Sequence, residues 1–282
     1  MDGARTVKLA ALRGAVARLE KPDGGQLEPR VGLGHHAADA SLQGGLARGA
    51  LHEVFAPQEA QNAAATGFTL GLVRRVTANA RYVLWIRPDV SAWRTGELAM
   101  SGCVELGLDP RRIIIVRAAN ADMALRAAAD GLACNVFGVV VTELWGATRS
   151  FDTVASRKLT LAAQTSGVTG LMLRLATSPS VSTAETRWIV RAAHSPPGLV
   201  WSPWGMPVFD AELVRNRHGP TGRWIMHWNC DDHLFQPQQF SAEPAGQPAH
   251  SQPVVSPSAN RPHQAGGFAT GAVRQPRRQK YA

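Results

Sequence analysis

Gly49 to Leu70 reads GALHEVFAPQEAQNAAATGFTL: an apolar strand, a short turn holding Pro57, and a helix built on alanines. That order of elements is the frame of a phosphate-binding loop. A working loop, spaced GxxxxGK[ST], needs glycines for a tight backbone cradle, a lysine for the β and γ phosphates, and a hydroxyl for magnesium. This stretch has no lysine. The four lysines of the chain, Lys8, Lys21, Lys158 and Lys280, neither follow a glycine nor precede Ser or Thr, so no intact loop lies elsewhere. A second stretch, FGVVVTELW, has the form of the magnesium-binding strand, four apolar residues and then an acid. Thr142 takes the usual place of the acid and Glu143 comes one residue later, which on a strand turns the carboxylate to the opposite face. Asp89, after YVLWI, stands near where a catalytic acid belongs, or caps a turn.

These residues need a frame. From Ala50 short apolar runs alternate with helical stretches: LHEVF, a helix near 62–78, YVLWI, a helix near 95–106, IIIV at 113–116, a helix near 120–133, FGVVVT, a helix near 152–166, and GLMLRL at 170–175. Buried β-branched strands separated by helices of this length specify parallel βαβ units in a doubly wound sheet. After Ser180 the segments TRWIVRAA, VFDAELVRN and GRWIMHWN, with HGPTG between the last two, read as antiparallel strands extending that sheet. In the last strand Trp224, Met226 and Trp228 point one way and Ile225, His227 and Asn229 the other. Ahead of the core, Leu9, Leu12, Val16 and Leu19 mark one face of a helix that ends at Pro22.

The chain has 282 residues and is 45% hydrophobic, enough for a sizeable core. The expected organisation is an N-terminal amphipathic helix over 1–25, an α/β core over 26–235, and a disordered tail over 236–282 rich in Pro, Gln, Ser, Ala and Gly. Net charge is +9, of which the tail carries +4. A basic body with a basic tip suits an anionic partner, nucleic acid first. Cys103, Cys134 and Cys230 are few, odd in number and outside any CxxC pattern, which points to a reducing compartment and away from a zinc module. With no apolar leader and no long uncharged run, the expected location is the cytoplasm.

Asp39 to Leu70 resembles the opening of the RecA recombinase core, and from Gly49 the two patterns match without a gap. The scaffold residues Gly49, Glu53, Phe55 and Pro57 fit. On that register Ala56 and Gln61 stand where the two loop glycines belong, Asn62 takes the place of the lysine and Ala63 that of the magnesium-binding threonine. ELVRNRHGPTGRW, Glu212 to Trp224, resembles the KNRxGPTG segment of RecA-like helicases and RadA-type repair proteins, whose basic pair reaches a neighbour's nucleotide. Arg215 and Arg217 match that pair, as inter-subunit residues or as part of a purely structural hairpin. With GALHEVFAP, ELWG after the fourth strand and the RNRxGPxGxW end, the chain resembles the ImuA family, also labelled RecA-like or SulA-like. The resemblance implies a RecA-like fold and an accessory role in the DNA-damage-induced mutasome of translesion synthesis. It also implies partners: ImuB, a Y-family-like polymerase hub, and an error-prone DnaE-type polymerase, working with the sliding clamp and RecA.

A helix N-terminus can still offer amides and dipole to an anion. Here Pro57 has no N–H, Glu59 adds negative charge, and the absent lysine contact removes about 1.5–3 kcal/mol. The expectation is weak or no nucleotide binding, no hydrolysis, no cofactor and no catalytic residue: a pseudo-ATPase adaptor. The alternatives are an active RecA-like ATPase or recombination protein with an unorthodox site, and a SulA-like inhibitor of cell division. Arg149, in the loop after the fourth strand, and Arg274, Arg277, Arg278 and Lys280 in the tail are candidate contacts to nucleic acid or to a partner; the loop 176–186 has no basic residue and reads as solvated. His227, Cys230, Asp231, Asp232 and His233 crowd together in a spacing that fits no common zinc pattern, so no metal is expected.

Overall fold

The computed structural model describes residues 29–77, 81–195 and 205–238. The chain divides into a unit of Met1–Gln239 and one of Phe240–Ala282, and everything below belongs to the first. The expected N-terminal helix and residues 239–282 of the expected tail lie outside the described residues; Gln236 and Pro237, read as the start of that tail, instead belong to the last strand, which pairs with the strand before it.

The elements follow in the order β1 (Arg30–Val31), α1 (His36–Ser41), β2 (Leu46–Ala47), β3 (Leu51–Ala56), α2 (Asn62–Thr77), β4 (Tyr82–Pro88), α3 (Asp89–Thr95), α4 (Met100–Glu105), β5 (Ile113–Ala118), α5 (Ala121–Ala133), β6 (Phe137–Trp145), α6 (Thr153–Ser166), β7 (Thr169–Leu175), β8 (Thr186–Ala192), β9 (Val208–Asn216), β10 (Gly222–Asn229) and β11 (Leu234–Pro237). Nine strands form one sheet in the order β11-β10-β9-β8-β3-β7-β6-β4-β5, and β1 pairs with β2 in a separate ribbon. The run from β8 to β5 is parallel. Antiparallel pairing starts at β9 and continues through β10 and β11. This is the mixed α/β fold expected, with one correction. TRWIVRAA lies parallel to β3, because the loop 176–185 carries the chain from the carboxyl edge back to the amino edge along the α6 face before β8 begins.

Position in the sheet explains burial. β3 and β7 are neighbours near the middle, covered on both faces, and all their residues are buried. β5 is an edge strand and half exposed. α2 covers one face, over Val54, Trp85, Val139, Val141 and Leu173. α5 and α6 cover the other, over Leu84, Ile86, Val140, Leu144 and Met172. The antiparallel extension is fixed to α2 by aromatic rings: Phe68 lies 5.5 Å from Trp188 and 5.0 Å from Phe235, and Phe235 lies 4.8 Å from Trp228 between centroids. Such pairs add about 0.5–1.5 kcal/mol each beyond area burial. Gly71 permits this contact, since a Cβ there would stand 2.5 Å from Phe235 Cζ.

The helices on the second face are capped by side chains. Asp152 accepts from the Ala155 amide at 2.7 Å to start α6, Gly167 ends it in the left-handed region, and Asn120 accepts from Met123 at 3.0 Å to start α5. The single helix expected near 95–106 is instead two short ones, α3 and α4. Gly96 ends the first with φ of 74°, and residues 96–99 between them are not helical.

Candidate functional site

In an open parallel sheet the ligand crevice lies outside the carboxyl ends of the strands. β3 ends there at Ala56, and the connection to α2 is a 3₁₀ turn over Glu59–Gln61. The Gln61 amide donates to the Gln58 carbonyl at 3.0 Å. No residue from Ala56 to Ala63 has positive φ, whereas a nest of amides around an anion alternates right- and left-handed residues. Gln61 reaches sideways, its Oε1 accepting from the Ala192 amide at the end of β8 at 2.6 Å. Asn62 opens α2 with a buried Oδ1 that has no hydrogen-bond partner. Ala63 contributes only a methyl group to the cleft beside it.

That cleft, about 460 Å³, runs between the first turns of α2 and the α3–α4 segment; Asn62, Ala63 and Thr66 line one side, and Arg94, Glu97 and Leu98 the other. Arg94 stacks under the ring of Trp93 at 5.0 Å and faces Trp145 at 5.7 Å. Trp93 is 78% exposed.

The floor of the cleft holds a buried ion pair. Arg87 Nε, at the end of β4, stands 2.9 Å from Glu143 Oε1, at the end of β6; both side chains are almost wholly buried. Trp85 Nε1 donates to the same carboxylate oxygen at 2.6 Å. The other end of the guanidinium donates to Thr95 Oγ1 at 2.8 Å and the Gly96 carbonyl at 2.9 Å, tying β4 to the break between α3 and α4. Burial raises the Glu143 carboxyl above its ordinary value, and the Arg87 charge and Trp85 N–H pull against that rise. Strand alternation decides this partnership: Val139, Val141 and Glu143 face α2, while Val140, Thr142 and Leu144 face α5 and α6. Thr142 is therefore buried on the far side from the cleft, and Glu143, expected to turn away, is the acid that faces it: the one-residue shift is the reverse of the assignment read from the sequence. Asp89 opens α3, exposed, with no side-chain cap at that helix start.

A second buried charge cluster lies on the α6 face. Glu53 Oε2 accepts from Arg187 Nε and from Ser182 Oγ, each at 2.8 Å. Arg174, 2% exposed, stacks between Phe55 and Phe151 at 5.5 and 4.8 Å from their centroids, and burial lowers its pKa while the Glu53 charge opposes. It joins β3, β7, β8 and the loop 176–185, which is further pinned to α6 through Thr183 and Ser156.

The two basic residues of the RNRHGPTG hairpin are elsewhere. Because β9 runs antiparallel to β8, Asn216 lies opposite Thr186 at the amino edge of the sheet, away from Ala56 and Gln61. Asn216 Nδ2 donates to the Ser41 carbonyl at 2.8 Å and to the Pro220 carbonyl at 3.0 Å, holding the hairpin against α1. Arg215 is half-buried and Arg217 exposed, and within one chain neither meets the cleft. Arg149 is exposed in the loop after β6, on the same edge as the cleft. Arg274, Arg277, Arg278 and Lys280 lie outside the described residues.

His233 Nδ1 faces Arg74 NH2 at 3.3 Å, and Asp232 takes hydrogen bonds from Asn229 and Gln236, so this crowded stretch is a turn between β10 and β11. Among the described residues no group of His, Cys, Asp or Glu is arranged to hold a metal ion, and no helix is long and apolar enough to cross a membrane.

No family model matches the chain. Over 212 residues it is 29% identical to Protein ImuA of Caulobacter vibrioides strain NA1000 / CB15N, covering 70% of this chain and 83% of the relative. This likeness, over two thirds of the chain, supports membership of the ImuA family. The same identity and coverage hold for Protein ImuA of Caulobacter vibrioides strain ATCC 19089 / CIP 103742 / CB 15. The ImuA-like resemblance noted in GALHEVFAP, ELWG and RNRxGPxGxW is thus matched by a relationship over most of the chain.

Sequence reasoning singled out Glu143 but not its partners. Those partners are Trp85, inside YVLWI, and Arg87, just after it; Arg174 and Arg187, which surround Glu53, were likewise not singled out. The available signal was the lone charge in an otherwise buried run, which must find a partner.

Proposed function

We propose that the chain is a non-catalytic RecA-like accessory protein of the DNA-damage-induced mutasome, acting in translesion synthesis by docking to ImuB, with RecA and the DnaE-type polymerase complex as further partners. The observation that carries the pseudo-ATPase part is the Arg87–Glu143 pair with its Trp85 hydrogen bond. In this reading the acid that would serve magnesium is engaged by an arginine, and the loop beside it lacks lysine, hydroxyl and amide nest. The guanidinium supplies the neutralising charge that a metal-bound phosphate would otherwise bring. The family relationship supports the mutasome context, and the exposed Trp93 with Arg94 is the kind of aromatic and arginine anchor that docking surfaces favour.

The test is a pull-down of the full-length chain against purified ImuB and RecA, each with wild type and Trp93→Ala. Retention of ImuB by the wild type supports the reading. Failure to retain either protein removes the adaptor role.

A further inference from the structure

GLMLRL holds one charge in an otherwise apolar strand. That charge is Arg174, the next-to-last residue of β7, which lies between Phe55 of β3 and Leu144 of β6 in the sheet and is 2% exposed. Its guanidinium carbon stands 5.5 Å from the Phe55 ring centroid and 4.8 Å from that of Phe151. Ring faces offset part of the hydration a cation loses on burial, but they offer no acceptor to the N–H groups in its plane. Nε and NH1 are buried with no hydrogen-bond partner among the described residues. A buried cation so placed calls for an acceptor and for a counter-charge.

The acids nearby are engaged elsewhere. Glu53 is fully buried, and its Oε2 accepts from Arg187 Nε and Ser182 Oγ, each at 2.8 Å. Glu53 Oε1 is itself buried with no partner among the described residues. Glu185, at the end of the loop that carries Ser182, faces Arg30 at 3.7 Å and His218 at 3.4 Å. The charges acting on Arg174 are those of Glu53 and Arg187. Two cations therefore share one carboxylate, and the buried cluster is left with one positive charge in excess. A water between Glu53 Oε1 and Arg174 would supply an acceptor and leave that excess. A monovalent anion supplies both. A divalent one would turn the cluster negative beside a buried carboxylate, and a bulky one has no path to so enclosed a side chain.

We propose that Arg174 holds a small monovalent anion of the halide class at the carboxyl end of β7, beside Phe151. The ion acts on the loop 176–185. With it in place, Glu53 stays with Arg187 and Ser182, Arg187 NH2 donates to Ser182 Oγ at 2.7 Å, and the Thr183 amide donates to Ser156 Oγ at 3.2 Å. Without it, Arg174 competes for Glu53 and the Ser182 contact loosens, so the site sets how firmly this loop is held to α6. The proposal is independent of the cleft and of the mutasome reading.

Thermal unfolding of the full-length chain in sodium chloride and in sodium gluconate, at equal ionic strength, tests it, because gluconate is monovalent but too large for the site. For a dissociation constant of about 10 mM, chloride at about 0.5 M raises the melting temperature by about 5–9 °C over gluconate. Hydrogen exchange at the Thr183 and Ala184 amides slows by about tenfold in chloride. Arg174→Met abolishes both responses. Anomalous scattering from bromide-soaked crystals of the wild type places a peak within hydrogen-bond reach of the Arg174 guanidinium, and this peak decides the location if the variant does not fold. Equal melting temperatures in the two salts overturn the proposal, a bromide peak at Arg174 then being an adventitious ion only. So does a chloride response that persists in Arg174→Met, or a guanidinium with water and no bromide beside it.

Discussion

Arg87→Met removes one half of a buried pair and leaves the other in place. Glu143 is 1% exposed and keeps only the Trp85 N–H at 2.6 Å, while Thr95 Oγ1 and the Gly96 carbonyl lose their donor. Breaking a buried pair from one side costs about 3–5 kcal/mol. At about 2–4 °C per kcal/mol for a domain of this size, the melting temperature falls by roughly 6–20 °C. The loss depends on pH in a defined direction. The folded carboxyl already titrates above its ordinary value, and without Arg87 it titrates higher still. A carboxyl raised in the folded state binds its proton more tightly there than in the unfolded chain, so the variant is closest to wild type below the ordinary carboxyl range and loses stability as pH rises through the folded value. Arg87→Met with Glu143→Gln removes both charges and keeps an acceptor for Trp85, and loses only about 1–2 kcal/mol. Urea unfolding of wild type, both single variants and the double variant at pH 5 and pH 7.5 gives the coupling energy. Additive losses, or a single-variant loss below about 1 kcal/mol at pH 7.5, would refute the pairing as a unit.

Other outcomes follow from the same geometry. His52 is fully buried between the Thr186 hydroxyl and the Ala47 carbonyl, each at 2.8 Å, and burial lowers its pKa to about 4. Its contribution is present above the ordinary histidine value and fades as pH falls from about 6.5 to 4; urea unfolding across that window should show a loss of about 3 kcal/mol that shrinks in His52→Gln. Phe68→Ala opens a cavity under Trp188, Phe209 and Phe235 and costs about 3–5 kcal/mol in the same assay, with loss of near-ultraviolet circular dichroism. Gln61→Gly with Asn62→Lys and Ala63→Thr rewrites the loop toward a phosphate-binding sequence, yet calorimetric titration with ATP and magnesium should stay flat, because the Arg87–Glu143 pair is untouched.

The parallel strands were legible because runs such as IIIV and FGVVVT leave a β-branched chain few other choices, and because helices of suitable length separate them. β8 was read as antiparallel because its alternating pattern matches that of β9 and β10. Direction depends on the crossover before it, which composition does not encode. β1, α1, β2 and β11 escaped notice because two to six residues carry too little periodicity; they form through contacts to distant segments, such as Phe235 against α2 and the His35 ring capping Ala38 at 3.3 Å. The helix near 95–106 was started too early, since only Met100–Glu105 is helical there, and α3 ahead of Gly96, whose positive φ marks the break, was missed. At the site, strand alternation put Thr142 and Glu143 on opposite faces, but the face each takes was read the wrong way round: Glu143 is the one at the cleft. That it meets Arg87 required β4 and β6 to be neighbours in the sheet, a fact of topology.

The central claim is that function has moved from this cleft to the surfaces around it. Equilibrium titration of the full-length protein with a fluorescent ATP analogue, with and without magnesium, tests that most directly. The account predicts no saturable, magnesium-dependent binding up to about a millimolar. Micromolar affinity that requires magnesium, accompanied by turnover, would contradict it.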